Sequence, residues 1–380
     1  MSRCLLTLSR LLTAGAVLAL LSACSSTPDK PKPAELPALT AAASAYPLQS
    51  VWTNQIGPVL TPLNLSVHAG QVAVASSNGT VALLDAQTGK DIWRVALNAP
   101  LQAGVGGDGT RFAVITQTNE VIALQAGQVI WRYRLNASTY TAPLVAGGRV
   151  FVLTADRTVV ALDGASGQRL WQQQRTGEPL VLRQAGLLMA VEDTLVAGMA
   201  GRLVGLNPNN GNTRWETVVG ASRGTNEVER LVDIVTGVSR EGHQVCVRSF
   251  QTAVTCVDAT KGTVLWTRSA NGHQGLTGND QLLVGVESDS KVMSWNRALG
   301  QPAWNTDALR FRGLSEPMLR GASVVVGDEN GWVHRLAVQD GQLQNRISTD
   351  GSGIALRPVS VAGMTVVVTR NGGVYGLRLD

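Results

Sequence analysis

Short runs of alternating apolar and polar residues, closed by glycine-bearing turns, fill the chain from about residue 50 to its end. "RVFVLTA" (149–155) is followed closely by "RTVVALD" (157–163), a pair that reads as two strands joined by a tight hairpin. The second run passes into a glycine turn and a tryptophan, "ALDGASGQRLW" (161–171), and this unit recurs. Its copies are "VALLDAQTGKDIW" (81–93), "VIALQAGQVIW" (121–131), "LVGLNPNNGNTRW" (203–215), "VTCVDATKGTVLW" (254–266), "VMSWNRALGQPAW" (292–304) and "VHRLAVQDGQLQN" (333–345). Successive tryptophans are 38 to 51 residues apart, the length of one four-stranded propeller blade.

The periodic slot holds Trp93, Trp131, Trp171, Trp215, Trp266 and Trp304, with Asn345 next. "GGVYGLRLD" (372–380) supplies an eighth strand ahead of a turn with no tryptophan strand after it, while "SVWTNQIG" (50–57) is a tryptophan strand with none before it. Trp52 stands one repeat, 41 residues, ahead of Trp93. The pattern therefore predicts an all-β fold: an eight-bladed β-propeller of four-stranded antiparallel blades over 49–380. The N-terminal strand completes the last blade and removes the free edges of an open ring. A tryptophan repeated at one position has one packing task, so Trp52 and its six equivalents are expected to dock each blade on its neighbour, the indole N–H bonding a backbone carbonyl. Asp85, Asp163 and Asp258, with Asn207 and Asn296 in the same slot, are expected to bond turn amides. Gly89, Gly127, Gly167, Gly211, Gly262, Gly300 and Gly341 are expected at positive φ. Trp295 and Trp332 fall outside the slot and read as ordinary packing residues.

The N-terminus has another organisation. "MSRCLLTLSRLLTAGAVLALLSA" (1–23) is a secretory signal: two arginines, an apolar run from Leu11 to Leu21, then small residues. It ends in Leu21-Ser22-Ala23-Cys24, which resembles the lipobox of bacterial lipoproteins. That resemblance implies cleavage before Cys24 and acylation of Cys24, and Ser25 is compatible with export to an outer membrane. Residues 24–48 are rich in proline and alanine with no apolar period, and read as a lipidated flexible tether. Acyl chains would hold the domain at a membrane without a spanning helix.

Composition changes this picture little. Charged residues make up 16% of the chain and glycines number 41, as expected for many short strands and turns. The 32 Lys and Arg against 27 Asp and Glu give +5, and removal of Arg3 and Arg10 leaves +3. No basic run or stripe is present, so no nucleic-acid partner is expected.

The repeat also resembles that of quinoprotein dehydrogenases, which implies the alternative of a periplasmic oxidoreductase on the same propeller. The residues argue against it. His68, His243, His273 and His334 are scattered and make no metal-ligand pair. There is no adjacent cysteine pair and no haem-attachment motif. No catalytic residue, no cofactor and no metal site is expected. Cys246 and Cys256, in "QVCVRSFQTAVTCVD", would lie opposite one another if the hairpin turns near Gln251; a disulfide and a pair of buried thiols both remain open.

The lipobox, the tether and the eight-fold Trp/Gly repeat closing on itself together resemble the BamB family, lipoprotein subunits of the outer-membrane β-barrel assembly machinery. The resemblance covers residues 21–380. It implies a non-enzymatic scaffold on the periplasmic side of the outer membrane, bound to the POTRA domains of the barrel-inserting subunit BamA and assisting insertion of outer-membrane proteins. It also implies unfolded clients that add strands to its edges. Two segments carry the partner contact in the family. The first is matched by Leu180, Val181, Leu182 and Arg183, the second by Arg230, Leu231, Val232 and Asp233, with Val235 where a second Asp is expected. Leu180, Leu182, Arg183, Arg230 and Asp233 are the candidate partner-binding residues, with Arg183 and Asp233 placed to pair across the two loops. Independently, the 51 residues from Trp215 to Trp266 form the longest interval and hold "GASRGTNEVERLVDIVTG", a charged, turn-rich insertion on an otherwise regular ring.

Overall fold

The computed structural model describes residues 31–39, 45–175, 182–220 and 232–379. The signal segment 1–23 and Cys24 lie outside the described residues, as do Leu180, Val181, Arg230 and Leu231. Residues 34–380 form one compact unit. Among the described residues there is no α-helix, and 32 strands make eight four-stranded antiparallel sheets. The fold is an eight-bladed β-propeller. Blades one to seven take their strands from 66–96, 101–134, 144–174, 188–218, 234–269, 276–306 and 318–348 in order. Blade eight joins Val359–Val361, Met364–Val368 and Gly373–Leu379 to the N-terminal strand Leu48–Gln55, which runs antiparallel to Gly373–Leu379 with Leu48 opposite Leu379. The ring is closed by the two ends of the propeller sequence, and the first propeller residue is Leu48.

Each sheet packs face to face against its neighbours, so its middle strands lose the alternation expected of a half-solvated strand. Gln71–Ala75, Ser323–Gly327 and Met364–Val368 are buried over nearly their whole length. The apolar clusters lie between blades. One joins Phe151, Leu153 and Trp171 of blade three to Leu195, Met199 and Leu206 of blade four. Another joins Met318, Val325 and Val333 of blade seven to Leu48, Val367 and Leu377 of blade eight. Burying each such side chain contributes about 1.5–3 kcal/mol, so stability is distributed around the ring.

The repeat slots have a shared geometry. The Trp171 ring of blade three lies on Gly211 in the outer turn of blade four, where a Cβ would fall 2.7 Å from the ring; Gly211 also has φ +75°. Two constraints therefore select glycine, a left-handed backbone and a ring in van der Waals contact. The same contact links Trp52 to Gly89, Trp93 to Gly127, Trp131 to Gly167, Trp215 to Gly262, Trp266 to Gly300 and Trp304 to Gly341. Indole Nε1 donates to a carbonyl just before the glycine in five cases: Trp52 to Ala86, Trp131 to Gly164, Trp171 to Pro208, Trp266 to Arg297 and Trp304 to Val338, at 2.8–3.0 Å. Trp215 differs, its Nε1 being buried without an acceptor. Trp93 faces a shorter turn: Ala126 and Gly127 both have φ > 0, the two-residue type I′ geometry, and its ring packs edge-on against Phe112 at 5.5 Å. The turn carboxylates hold these loops. Asp85 accepts from the Gln87 and Thr88 amides and the Thr88 hydroxyl, Asp163 from Ala165 and Ser166, and Asp258 from Thr260.

Every outer strand is bulged at the residue before the slot. In blade three Ala161 pairs with Trp171 and Leu162 with Arg169, so Leu170 is the extra residue; Ile92 and Val51 are its equivalents in blades one and eight. Val51, Ile92 and Leu170 are apolar and exposed. A bulge twists the outer edge and interrupts the flat row of groups that an added strand would need.

Two further points were open or unexpected. Cys246 and Cys256 are directly opposite and joined in a disulfide inside blade five, with Gln251 at φ +49° in the turn between them. Closing so short a loop contributes roughly 2–3 kcal/mol. Residues 34–39, expected as part of the tether, instead make defined contacts with blade seven: the Ala34 amide donates to Arg310 O at 2.8 Å and Leu36 packs on the blade six–seven cluster.

Candidate partner-binding surface

All eight blades repeat one strand order, so the links from each outer strand to the next inner strand emerge on one face of the ring. The middle hairpins of the blades emerge there too. Residues 175–187 link blades three and four, and 219–233 link blades four and five. These hold the two segments singled out in the sequence, and the fold sets their described residues Leu182 and Asp233 side by side.

Their described parts are tied together. The Leu182 amide donates to Asp233 Oδ2 at 2.9 Å, a contact between residues 51 apart in sequence. The expected Arg183–Asp233 ion pair is replaced by this bond. Among the described residues no salt bridge joins the two, and Arg183 points to solvent. The reason is reach: Asp233 sits half-buried at the start of strand Ile234–Glu241, where the backbone of the neighbouring link is nearer than an exposed guanidinium. A charge-assisted bond of this kind is short and roughly twice as strong as a neutral one.

Both links are anchored beneath this bond. The Thr236 amide donates to Ala185 O at 2.9 Å, and the Gly186 amide to Thr141 Oγ1 at 3.0 Å. The Phe250 amide donates to Asp233 O at 2.9 Å, and Ser249 Oγ and Thr255 Oγ1 both donate to Val219 O at 3.0 Å. Gln184 Nε2 donates to His273 O in the link between blades five and six. The His273 ring titrates below the ordinary histidine range, first because it is buried and then because Arg248 is close. Sequence gave no signal for Thr141, Gln184, Ser249 or His273, which come from four different blades or links and share no motif.

Val235 is 1% exposed and pairs with Arg248 within blade five. The position where the resemblance places a second carboxylate is therefore interior, and an apolar residue belongs there. A cavity of about 60 Å³ lies between Leu182, Asp233, Val235, Tyr140 and Met199. The surface thus presents one half-buried carboxylate already engaged by a backbone amide, an exposed guanidinium at Arg183 and the half-buried Leu182. It can receive a partner's backbone or acidic side chains.

A second cavity, about 270 Å³, is lined by residues of blades one to five, among them Ser66, Gly106, Leu144, Leu188 and Thr236. Glu316, just ahead of the inner strand of blade seven, meets Arg357 Nη1 at 2.8 Å, and its carboxylate reaches blade five, where a Cβ on Gly237 would strike it. Among the described residues no group of three or more His, Cys, Asp or Glu is placed to hold a metal ion, and no helix is long and apolar enough to cross a membrane.

Comparison with known proteins gives consistent findings. A sequence profile for the family described as outer membrane protein assembly factor BamB matches residues 77–306. The outer membrane protein assembly factor BamB of Burkholderia pseudomallei (strain K96243) is 35% identical over 372 residues, covering 96% of each chain. That of Bordetella pertussis (strain Tohama I) is 32% identical, covering 95% of this chain and 94% of its own. The crystal structure of BamB from Moraxella catarrhalis superposes with a TM-score of 0.79 at 26% identity, over 87% of this chain and 99% of that one. Quinohemoprotein alcohol dehydrogenase from Comamonas testosteroni superposes at 0.67 with 14% identity, which shows a shared fold alone.

Proposed function

The chain belongs to the BamB family of outer membrane protein assembly factors, and from that premise we propose that it is a non-enzymatic scaffold of the machinery that folds β-barrel proteins into the outer membrane. In this reading Cys24 carries the acyl anchor on the periplasmic side, the propeller docks on the POTRA domains of a BamA-like subunit, and the surface around Leu180, Leu182, Arg183, Arg230 and Asp233 makes the contact. The observation that supports it is the Leu182–Asp233 bond, which makes one surface of two links from successive blades. A surface held by hydrogen bonds to blade five and to the links carrying Thr141 and His273 binds without a large ordering cost, which is what a docking face requires. The quinoprotein alternative rests on fold likeness alone and gains no site from the geometry.

The experiment is capture of the purified full-length protein by the POTRA domains of its barrel-inserting subunit. Asp233→Arg removes the acceptor for the Leu182 amide and sets a cation beside Arg183. Binding is expected to fall by about tenfold or more, with the unfolding midpoint little changed. Capture at the wild-type level would remove this surface as the docking site.

A further inference from the structure

The contacts of residues 34–39 extend this reading. We propose that blade seven carries a built docking site for this N-terminal segment, so that the free tether is residues 24–33 and the lipid anchor leaves the propeller on the same face as the candidate partner loops. The inference rests on the reading of Cys24 as the acylated residue.

The site is made by a buried charge. Asp328 and His334 of blade seven and Arg312 of the link before it are all more than nine-tenths buried. Asp328 Oδ2 accepts from Arg312 Nε and Nη2, each at 2.7 Å, and from His334 Nε2 at 3.0 Å, while Oδ1 accepts from the Asn330 and Trp332 amides. The guanidinium is thereby fixed, and its Nη1 donates to Ala34 O at 3.0 Å. A buried guanidinium N–H without an acceptor costs about 1–3 kcal/mol, so the propeller itself favours a carbonyl at this point. The Ala34 amide returns a bond to Arg310 O at 2.8 Å. Two residues on, Leu36 packs, as Trp304 does, against the cluster that holds Leu309 and Leu314. Arg346, stacked over the Trp332 ring at 5.6 Å, donates from Nη1 to Pro37 O at 2.7 Å. Further along, Asn345 Nδ2 donates to Tyr46 O and Arg335 Nη1 to Pro47 O, each at 2.9 Å, just ahead of strand Leu48–Gln55.

The composition that reads as a tether suits this role. "PKPAELP" (31–37) favours an extended backbone with little entropy to lose, and prolines leave their carbonyls free as acceptors. Ala34 docks on the link between blades six and seven, which lies on the face carrying the links at 175–187 and 219–233. The consequence is geometric. With residues 24–47 free, the anchor could stand about 80 Å from the first strand; with Ala34 docked, ten residues span about 35 Å at most.

The test places a twelve-residue Gly/Ser insertion in the lipidated full-length protein, either between Lys30 and Pro31 or between Thr40 and Ala41. Energy transfer is measured from a donor at Gln117 to acceptor-labelled lipid in phosphatidylethanolamine/phosphatidylglycerol vesicles. The first insertion lengthens the free tether by ~20 Å r.m.s. and lowers the transfer. The second lies between the anchored residues Pro37 and Tyr46 and leaves the transfer unchanged, unless Leu36→Asp is added, when it acts like the first. Equal loss from the two insertions in the otherwise unaltered chain overturns the proposal. A chain that fails to bind vesicles removes the anchor reading only, and amide exchange then decides the docking: slow exchange at Ala34 supports it, exchange at the free-peptide rate refutes it.

Discussion

The seam between blades three and four and the seam between blades seven and eight occupy equivalent places in the ring but are closed differently. In the first, the Trp171 ring covers Gly211, its N–H reaches Pro208 O, and Phe151 lies 6.0 Å away within an apolar cluster. In the second, Asn345 stands in the tryptophan slot and bonds Tyr46 O. The ion pair Glu316–Arg357 and the bond from Arg320 Nη2 to Gly363 O also cross that seam. The cause is topological. Blade eight takes its outer strand from Leu48–Gln55, so no outer turn joins it to Gly373–Leu379, and there is no turn glycine for a ring to cover. A tryptophan slot is therefore half of a contact whose other half lies one blade on, and at the seam without the second half polar groups replace the ring beside the apolar cluster of Met318, Val325, Val367 and Leu377.

The largest effect should come from breaking the glycine half of an ordinary seam. Gly211→Val places a β-branched side chain at φ +75° and drives its Cβ into the Trp171 ring. Backbone strain and overpacking together should cost about 4 kcal/mol, read from urea unfolding. A cost under about 1 kcal/mol would show that the ring-on-glycine contact does not hold the seam.

The closing seam should differ from the others in its response to pH. Burial raises the Glu316 pKa from 4.5 to about 7, with Arg357 pulling the other way. Burial wins because the Arg357 side chain is itself 35% exposed and spends much of its charge on solvent. The folded state therefore keeps a proton on Glu316 between about pH 4.5 and 7 that the unfolded chain releases. Stability contributed at this position is full below pH 4.5 and falls as pH rises to about 7, by about 3 kcal/mol in all. Unfolding free energies at pH 5 and 7.5 should show this fall in the wild type, with that share of it absent in Glu316→Gln. An unchanged slope in the variant would remove Glu316 as its source.

These two seams also mark what the sequence makes legible. Period, blade count and closure were readable because each blade spells its own strand, turn, glycine and tryptophan locally, and Trp52 announces the displaced strand. Contacts between blades leave no such trace. Nothing around Ala34 or Leu36 distinguishes a docked strap from free chain, since its partners, Arg312 and Arg346, lie about 300 residues away and two of the three bonds use its carbonyls. Asp233 was legible as a candidate residue, but its partner was not: a backbone amide, that of Leu182, carries no side-chain signature. Val235 reads as a missing carboxylate in sequence and as a core residue in the fold.

The smallest effect is the most discriminating. Replacing Asn345 by the residue that the seven other copies carry is a consensus change, and consensus changes commonly stabilise repeat folds by 0.5–2 kcal/mol. Here the opposite is expected. A ring at position 345 would meet no turn glycine, would lose the bond to Tyr46 O, and would press on the segment entering strand Leu48–Gln55. Asn345→Trp should lower the unfolding free energy by about 0.5–1 kcal/mol, whereas Trp171→Phe, which keeps a ring over Gly211 and loses only the indole bond, should cost about 1 kcal/mol. If Asn345→Trp raised the urea midpoint, the eighth slot would be an imperfect copy of the other seven, and the polar closure an accident of sequence drift. If it lowers the midpoint, the slot is fitted to the neighbour it has.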